Sequence, residues 1–293
     1  MKHSTALLAL TSVAVGWGLS YPLLKIIGAE MAPFSVITCR FFLTIILMLV
    51  FFHKKIKKPT FPLLNTSFLG AVQIVAMVLF ILYAVKTADA STVGFLISSS
   101  VAFVIIINIF ITRTLPSHSV TGALIVILCG LYLLSGSGGL DFNLGAAFAL
   151  LSGLVYAIDI HFTRVFSQRF DAVNFGFWQV VFSTLLAIIA QTITGEGFVL
   201  PSSGHAIISL ITLSVICTFY CFYMQITAQK YTTAQETGLV FTLEPVSSAV
   251  YAWFILDENM SSRSIIGALI VLTGVIGCLL LSNHKKDKAL SPS

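Results

Sequence analysis

The chain has 293 residues, of which 57% are hydrophobic and 9% are charged, and its formal net charge is +5. Since a soluble domain carries about 25% charged residues, this composition excludes a soluble globular protein and indicates an integral membrane protein. Lysines and arginines kept in cytoplasmic loops, beside anionic lipid headgroups, account for the positive charge, so nucleic-acid binding is not expected.

Ten apolar runs of roughly 20 residues follow one another, each long enough to cross a hydrocarbon core as an α-helix. They cover 4–27, 33–52, 63–83, 91–111, 119–136, 144–166, 174–193, 205–226, 234–256 and 264–282, and we number them as spans in this order. The runs are continuous and about twice as long as a barrel strand. The sequence therefore predicts an all-α membrane protein with ten transmembrane helices, joined by connections too short for a soluble domain.

An internal duplication divides the ten spans into two sets of five. Gly122–Val126 recurs at Gly267–Val271, 145 positions later, and Lys86 recurs with its flanking alanines at Lys230, 144 positions later. Because five crossings per copy is an odd number, the second copy must be inverted relative to the first. The predicted units are a first five-helix repeat at 1–139, a second, inverted repeat at 140–284 and a cytoplasmic basic tail at 285–293.

Lysines and arginines predict the orientation, because cytoplasmic loops retain positive charge. If the N-terminus is inside, Lys25, Lys86 and Arg263 face outward and Arg40 lies within a span, whereas the other twelve of the 16 face the cytoplasm. Those twelve are Lys2, Lys54, Lys55, Lys57, Lys58, Arg113, Arg164, Arg169, Lys230, Lys285, Lys286 and Lys288. We therefore expect both termini in the cytoplasm, the chain in the inner (plasma) membrane, and the stretch after Lys2 to be a retained helix rather than a signal peptide.

All five cysteines lie within predicted spans, at Cys39, Cys129, Cys217, Cys221 and Cys278. Cys217 and Cys221 share a helical face, but no histidine or acidic residue joins them at the spacing of a metal site. We expect the cysteines to be small buried apolar residues. The sequence predicts neither a metal site nor a cofactor.

The first two spans contain the earliest candidates for substrate binding or gating. Trp17 and Tyr21 suit a cavity wall, and Pro22 predicts a kink beside them. Lys25 lies near the end of its span, where an anchor that reaches the headgroups is the competing interpretation. Arg40 is a charge inside a span whose planar guanidinium suits a carboxylate or phosphate, and a packing or gating role is the alternative.

Polar and aromatic residues in the later spans extend the predicted lining. Gln73 and Asn108 carry amides that must find partners when buried, and a polar cavity would provide them. Tyr156 and Tyr220 offer further aromatic walls, with helix packing as the alternative. These four residues are therefore candidates for substrate contact or gating.

The sixth span carries Asp159 and His161, which are two residues apart and so lie on different faces of a helix. We expect one of them to face the cavity and the other to meet a neighbouring helix. An unperturbed histidine titrates near neutral pH. A histidine that only hydrogen-bonds within the packing is the competing interpretation of His161.

Glu244 lies near the middle of the ninth span, directly before Pro245, which removes a backbone donor and loosens that turn. A charge at that depth is costly unless it is paired or hydrated. Glu244 is therefore either a coupling or substrate-binding group that exchanges a proton, or a brace that pairs with Arg40 or hydrogen-bonds to a neighbouring helix.

Glycines in the fifth and tenth spans predict close helix contact. These residues are Gly130, Gly267, Gly274 and Gly277. We expect the two spans to pack together, to contribute little to transport chemistry, and to offer one option for a homodimer surface.

Spaced motifs stand near both ends of the chain: Trp17-Gly18, Tyr21, Lys25, Ala32-Pro33 and Arg40-Phe41 near the start, then Leu243-Glu244-Pro245-Val246, Glu258, Gly267 and Gly274 near the end. Together they resemble the EamA branch of the drug/metabolite transporter superfamily. The resemblance covers the whole chain and implies a ten-helix inner-membrane carrier. Thr114 and Ser100 stand where the second repeat has Glu258 and Glu244, so functional acids are expected in one half only.

The expected function is secondary transport of a small amino acid-like, nucleoside-like or drug-like metabolite by alternating access, with export as the expected direction. The sequence contains no Gly-x-x-x-x-Gly-Lys-Ser/Thr phosphate loop. A passive channel and an intramembrane lipid-modifying enzyme are the alternatives. The expected partners are the substrate and membrane lipid, with a proton and a second copy of the chain left open.

Overall fold

A computed structural model describes residues 1–88, 90–134, 144–258 and 261–290, and all regular structure in these ranges is helical. Six spans are continuous helices, at Pro33–Phe52, Phe61–Val85, His118–Leu134, Leu144–Phe166, Ala172–Thr194 and Ser262–Leu290. The other four are interrupted, as His3–Gly18 with Ser20–Gly28, Ala90–Ile97 with Ser100–Thr112, Gly204–Thr212 with Leu213–Tyr220 and Cys221–Gln229, and Ala234–Phe241 with Glu244–Leu256.

Within the described ranges, eight of these spans are long and apolar enough to cross a membrane. The fifth and tenth contribute the shorter apolar helices Val120–Leu133 and Ser262–Gly277. The ten-span, all-helical architecture predicted from the sequence is confirmed. The last helix continues to Leu290 and so extends into the predicted basic tail, whereas the predicted boundary between 139 and 140 lies outside the described residues.

The duplication is visible in where the helices break. The fourth span resumes at Ser100 and the ninth resumes at Glu244, 144 positions later. Both of the resumed helices end at a left-handed residue, Arg113 with φ 54° and Asp257 with φ 53°, again 144 positions apart. The ninth span is therefore interrupted rather than merely loosened at Pro245, and Glu244 is the first residue of a new helix.

The first span is interrupted at Leu19 and not, as the sequence suggested, at Pro22. Pro22 lies in the first turn of the second helix, where its missing N–H costs no hydrogen bond. The Ser20 hydroxyl donates to the Trp17 carbonyl at 2.6 Å across the break. The expected kink is therefore displaced toward the helix start, because proline is accommodated there.

The two repeats bury their faces against each other. The first span packs on the eighth and ninth, the second on the seventh, and the third on the sixth and seventh. The fifth packs on the tenth: a Cβ placed on Gly130 would lie 2.9 Å from the Gly267 carbonyl oxygen, and one on Gly274 would lie 2.8 Å from Ile127 Cγ1. The predicted contact of these two spans is confirmed, except that nothing lies within 4 Å of a Cβ placed on Gly277.

The connections meet at two opposite rims of the molecule. At the first, which we call the His3 rim, His3 Nε2 lies 3.1 Å from Glu236 Oε1, and the Lys57 amide donates to Asn174 Oδ1 at 2.8 Å. Each pair joins parts of the chain from different repeats. The predicted threading of ten spans places all four residues at one membrane surface.

The second rim, which we call the Lys25 rim, lies at the opposite end of the spans. There, Lys25 Nζ lies 3.0 Å from Glu258 Oε1. Glu30 Oε2 accepts hydrogen bonds from the amides of Ser202 and Ser203 at 2.9 and 3.1 Å. Hydrogen bonds from Ser203, and then from Ser202, lower the pKa of Glu30 to about 2. The two rims fit inverted repeats, and the assignment of the His3 rim to the cytoplasm remains a prediction from the lysine and arginine distribution.

Candidate functional site

Two cavities lie where the repeats meet. The outer cavity is lined by Trp17, Ser20, Tyr21, Leu24, Arg40, Met77, Val78, Ile81, Ile97, Tyr156, Phe222 and Glu244. The inner cavity is lined by Trp17, Ile74, Met77, Asp159, Thr163, Gln179, Phe222, Gln225 and Ile226. Trp17, Met77 and Phe222 belong to both walls, and we call these three residues the septum.

The order of the lining residues along the helices shows that the cavities are stacked across the membrane. The third span runs from the His3 rim to the Lys25 rim, and it places Ile74 in the inner cavity and Ile81 in the outer one. The sixth span runs the other way, and it places Tyr156 in the outer cavity and Thr163 in the inner one. The outer cavity therefore lies toward the Lys25 rim and the inner cavity toward the His3 rim.

Glu244 joins three spans in the outer cavity. Its side chain accepts hydrogen bonds from Tyr21 of the first span at 2.6 Å and from Tyr156 of the sixth span at 3.2 Å. Only 6% of its surface is exposed. As the first residue of its helix it also lies where unpaired backbone N–H groups favour negative charge. The carboxylate is thus held by neutral donors, and one alternative predicted for it, hydrogen bonding to neighbouring helices, is present.

Arg40 lines the same cavity as Glu244, but its hydrogen bonds go to the eighth span. Its Nε donates to Thr218 Oγ1 and its Nη2 donates to the Cys217 carbonyl at 3.4 Å. No ion pair between Arg40 and Glu244 within 4.0 Å occurs among the residues that the structure describes. The pairing of these two charges, the other form of the predicted brace, is therefore wrong for this conformation.

The partners of Arg40 belong to a π-helical segment, Leu213–Tyr220, in the middle of the eighth span. The wide π turn departs from the regular α-helical hydrogen-bond ladder, and such segments occur frequently at functional sites. The Cys217 carbonyl accepts from Trp17 Nε1 at 2.7 Å as well as from Arg40. One irregular turn therefore fixes both a septum residue and the cavity's cation.

Aromatic neighbours hold Trp17 in place. Its ring meets Phe241, Tyr156 and Phe222 edge-on, with centroids 5.2, 5.7 and 6.0 Å apart. Tyr156 and Phe241 stack on each other at 5.7 Å. Such contacts fix the orientation of the rings beyond what apolar burial alone does. The septum is therefore an ordered wall.

Asp159 is the acid of the inner cavity and is 6% exposed. It accepts from Gln225 Nε2 at 3.3 Å and, across one helical turn, from Thr163 Oγ1 at 3.5 Å. Both bonds are long, and both donors are neutral. His161, two residues further on, instead lies 3.0 Å from the Val104 carbonyl of the fourth span. The expectation that one of these two residues faces the cavity and the other a neighbouring helix is confirmed.

The remaining candidates lie outside both cavities. Lys25 pairs with Glu258 at the rim, which agrees with its interpretation as a residue of the membrane surface. Tyr220 is 39% exposed on the surface of the molecule, and its hydroxyl lies 2.7 Å from Ser12 Oγ. The aromatic wall expected from Tyr220 is therefore not found, because the end of the π segment turns this side chain outward.

Gln73 and Asn108 do not line either cavity. The Gln73 Oε1 atom is buried and has no hydrogen-bond partner in the described part of the chain. The expectation that a polar cavity would satisfy these two amides is therefore wrong for the cavities described. Four polar residues that were not predicted from the sequence line the two cavities instead: Ser20, Thr163, Gln179 and Gln225.

The cysteines are mostly structural, as expected. Cys39, Cys217 and Cys221 are buried, and Cys217 Sγ lies 3.1 Å from the Gly16 carbonyl of the first span. Cys129 is exposed, which contradicts the expectation of burial, and the side chain of Cys278 lies outside the described residues. Among the described residues, no three histidine, cysteine, aspartate or glutamate side chains are grouped so that they could hold a metal ion.

The fold and the buried polar site between inverted repeats define a class of membrane transporter. The model of the EamA-like transporter family matches residues 4–136 and 143–280, and the chain belongs to that family. It is 27% identical to an uncharacterized transporter of Archaeoglobus fulgidus over 94% of this chain and 86% of that protein. It is 21% identical to the uncharacterized transporter YoaV of Bacillus subtilis over 92% of this chain and 94% of that protein.

A solved structure, described only as a crystal structure of protein, has the same fold, with a TM-score of 0.77, 17% identity and coverage of 97% and 99% of the two chains. Together these relationships make the chain a multi-pass membrane transporter. They leave its substrate and mechanism to be argued from the site.

Proposed function

We propose that the protein is a secondary carrier that moves a small polar or amphipathic metabolite by alternating access. The observation that carries this proposal is the septum, which divides a polar pathway between inverted repeats into two chambers. A carrier needs a barrier that closes one side while the other opens, whereas a fixed pore needs a continuous path. Export across the inner membrane is the direction we propose.

The chemistry of the outer cavity favours a solute with both polar and apolar parts. Arg40 and Glu244 supply charges of opposite sign about a wall of Trp17, Tyr21 and Tyr156. Amino acid-like, nucleoside-like and drug-like molecules all combine an apolar body with a few polar groups. We propose these classes as the substrates, and the transporters among the relatives support a carrier over a lipid-modifying enzyme.

A counterflow assay on purified protein in proteoliposomes tests the proposal. Candidate solutes are first chosen by thermal stabilisation, since a ligand that binds only the folded state raises its stability. Vesicles preloaded with an unlabelled candidate should then transiently accumulate the labelled compound above its outside concentration. Flux that neither saturates nor shows such accumulation would indicate a channel, and a covalently altered solute would indicate an enzyme; either result contradicts the carrier.

A further inference from the structure

The inner cavity has an uncompensated acid. Asp159 is the one charged residue of its described lining, whereas the outer cavity contains both Arg40 and Glu244. Among the described residues, no lysine or arginine nitrogen forms an ion pair with Asp159 within 4.0 Å. Since buried acids inside membranes are costly and usually paired, the missing partner is the feature to explain.

Five of the nine residues that line the inner cavity are apolar or aromatic. Trp17 and Phe222 of the septum face this cavity together with Ile74 and Ile226. Aromatic faces attract organic cations, and the attraction is stronger away from water. A carboxylate beside aromatic rings is therefore suited to a positively charged nitrogen that carries an apolar body.

The polar neighbours of Asp159 favour an organic cation over an inorganic one. Gln225 directs an N–H, not an oxygen, at the carboxylate. Within the described part of the chain, the other hydrogen bond to this carboxylate comes from the Thr163 hydroxyl. Hard metal cations require a shell of six or more oxygen ligands, and this arrangement does not offer one.

We propose that the inner cavity binds the ammonium group of an organic amine substrate, with Asp159 as its counter-ion and the septum as its apolar wall. This inference rests on the proposed carrier function and deepens it, because it names the substrate class. An amine that passes the septum moves from Asp159 to Glu244, so a carboxylate is present on each side of the barrier.

Three probes of similar size and different charge test this site in the wild-type protein. 2-Phenylethylamine is a cation, 2-phenylethanol is neutral and 3-phenylpropanoate is an anion at neutral pH. We expect only the amine to raise the thermal unfolding midpoint with increasing concentration. Equal stabilisation by the alcohol, or stabilisation by the anion alone, would overturn the proposal. Because this comparison needs no variant, it remains decisive if a variant fails to fold.

Asp159→Asn removes the charge and keeps one oxygen, which can accept from either Gln225 or Thr163, because these two donors bind different oxygens of Asp159. We expect the half-saturating amine concentration to rise about tenfold or more, the size expected for one lost charge-assisted contact. Asp257→Asn is the matched control, because Asp257 is an exposed carboxylate in a left-handed conformation that asparagine also adopts. The control should bind the amine as the wild type does, and an unchanged response in Asp159→Asn would contradict the site.

Two further measurements separate the remaining interpretations. Stabilisation by sodium chloride over potassium chloride that disappears in Asp159→Asn, without any amine response, would assign an inorganic cation and overturn the organic amine. Amine binding without counterflow would contradict the carrier and leave the site intact. Counterflow of a neutral or anionic solute at the same rate in Asp159→Asn would contradict the site and leave the carrier intact.

Discussion

Glu244 shows how a carboxylate is retained inside a membrane without forming an ion pair with any cation among the described residues. Two tyrosine hydroxyls donate to it, and the start of a helix contributes its partial positive charge. Hydrogen bonds to a charged group contribute about 1.5–3 kcal/mol each. Neutral donors therefore hold the group in place, and its exchange of a proton remains a prediction.

Glu244→Gln tests proton coupling at this residue. Glutamine keeps one oxygen that accepts from one of the two tyrosines, its NH2 group can donate to the hydroxyl oxygen of the other, and it does not carry a titrating proton. We expect uptake driven by an imposed pH difference to be abolished, while counterflow of the same solute at equal pH continues. Both rates are measured in proteoliposomes, with Asp257→Asn as the control for loss of a carboxylate. An equal loss of both rates would favour the brace.

The interrupted helices are the elements that position the site. The break of the first span packs against the break of the ninth, since a Cβ placed on Gly18 would lie 2.7 Å from the Glu244 carbonyl oxygen and 2.8 Å from the Ser248 amide nitrogen. This close approach brings Tyr21 to Glu244. The eighth span adds the π turn that holds Trp17 and Arg40, so irregular segments of three spans surround one cavity.

Gly18→Ala should separate the first and ninth spans. The added methyl meets backbone atoms that have no alternative rotamer, and overpacking of this kind costs about 1–3 kcal/mol. We expect a lower thermal unfolding midpoint and weaker ligand stabilisation. Gly28→Ala, near the end of the same span, is the matched control because nothing lies within 4 Å of its Cβ position. An equal fall in both variants would refute the contact as the cause.

The sequence predicts the overall architecture through hydropathy, and it predicts part of the cavity lining through charged and aromatic residues inside spans. Hydropathy and the odd number of spans per repeat predict the inverted architecture, because lipid forces each crossing to be a long apolar helix. Charged and aromatic residues within spans correctly indicate six cavity residues: Trp17, Tyr21, Arg40, Tyr156, Asp159 and Glu244. Their functional roles remain predictions.

What the sequence does not predict comes from local backbone geometry. The interruption near Ser98 contains no proline or glycine, whereas Pro245 directly follows the one near Thr242. The π segment changes the angular phase of the eighth span, which turns Tyr220 outward and leaves Gln225 facing the inner cavity. Phase errors of this kind are invisible to a pattern that assumes 3.6 residues per turn.

At the scale of the whole molecule, the rims predict which connections share a membrane surface. Lys86 and Lys230 are both exposed at span ends and occupy equivalent positions in the two repeats. In a cysteine-free background, Lys86→Cys and Lys230→Cys should differ in labelling by a membrane-impermeant maleimide applied to intact cells. We expect Lys86→Cys to react and Lys230→Cys to react only after lysis. Labelling of both from the same side would exclude inverted repeats.

The packing of each repeat on the other has a consequence for how such a chain arose. Spans one, two, three and five each bury a face against a span of the opposite half. A five-helix ancestor would have lacked those surfaces and would have needed a sister molecule inserted upside down in the same bilayer. Fusion of two such genes would fix one pair of this kind in a single chain, and only in the fused chain could Ser100 differ from Glu244.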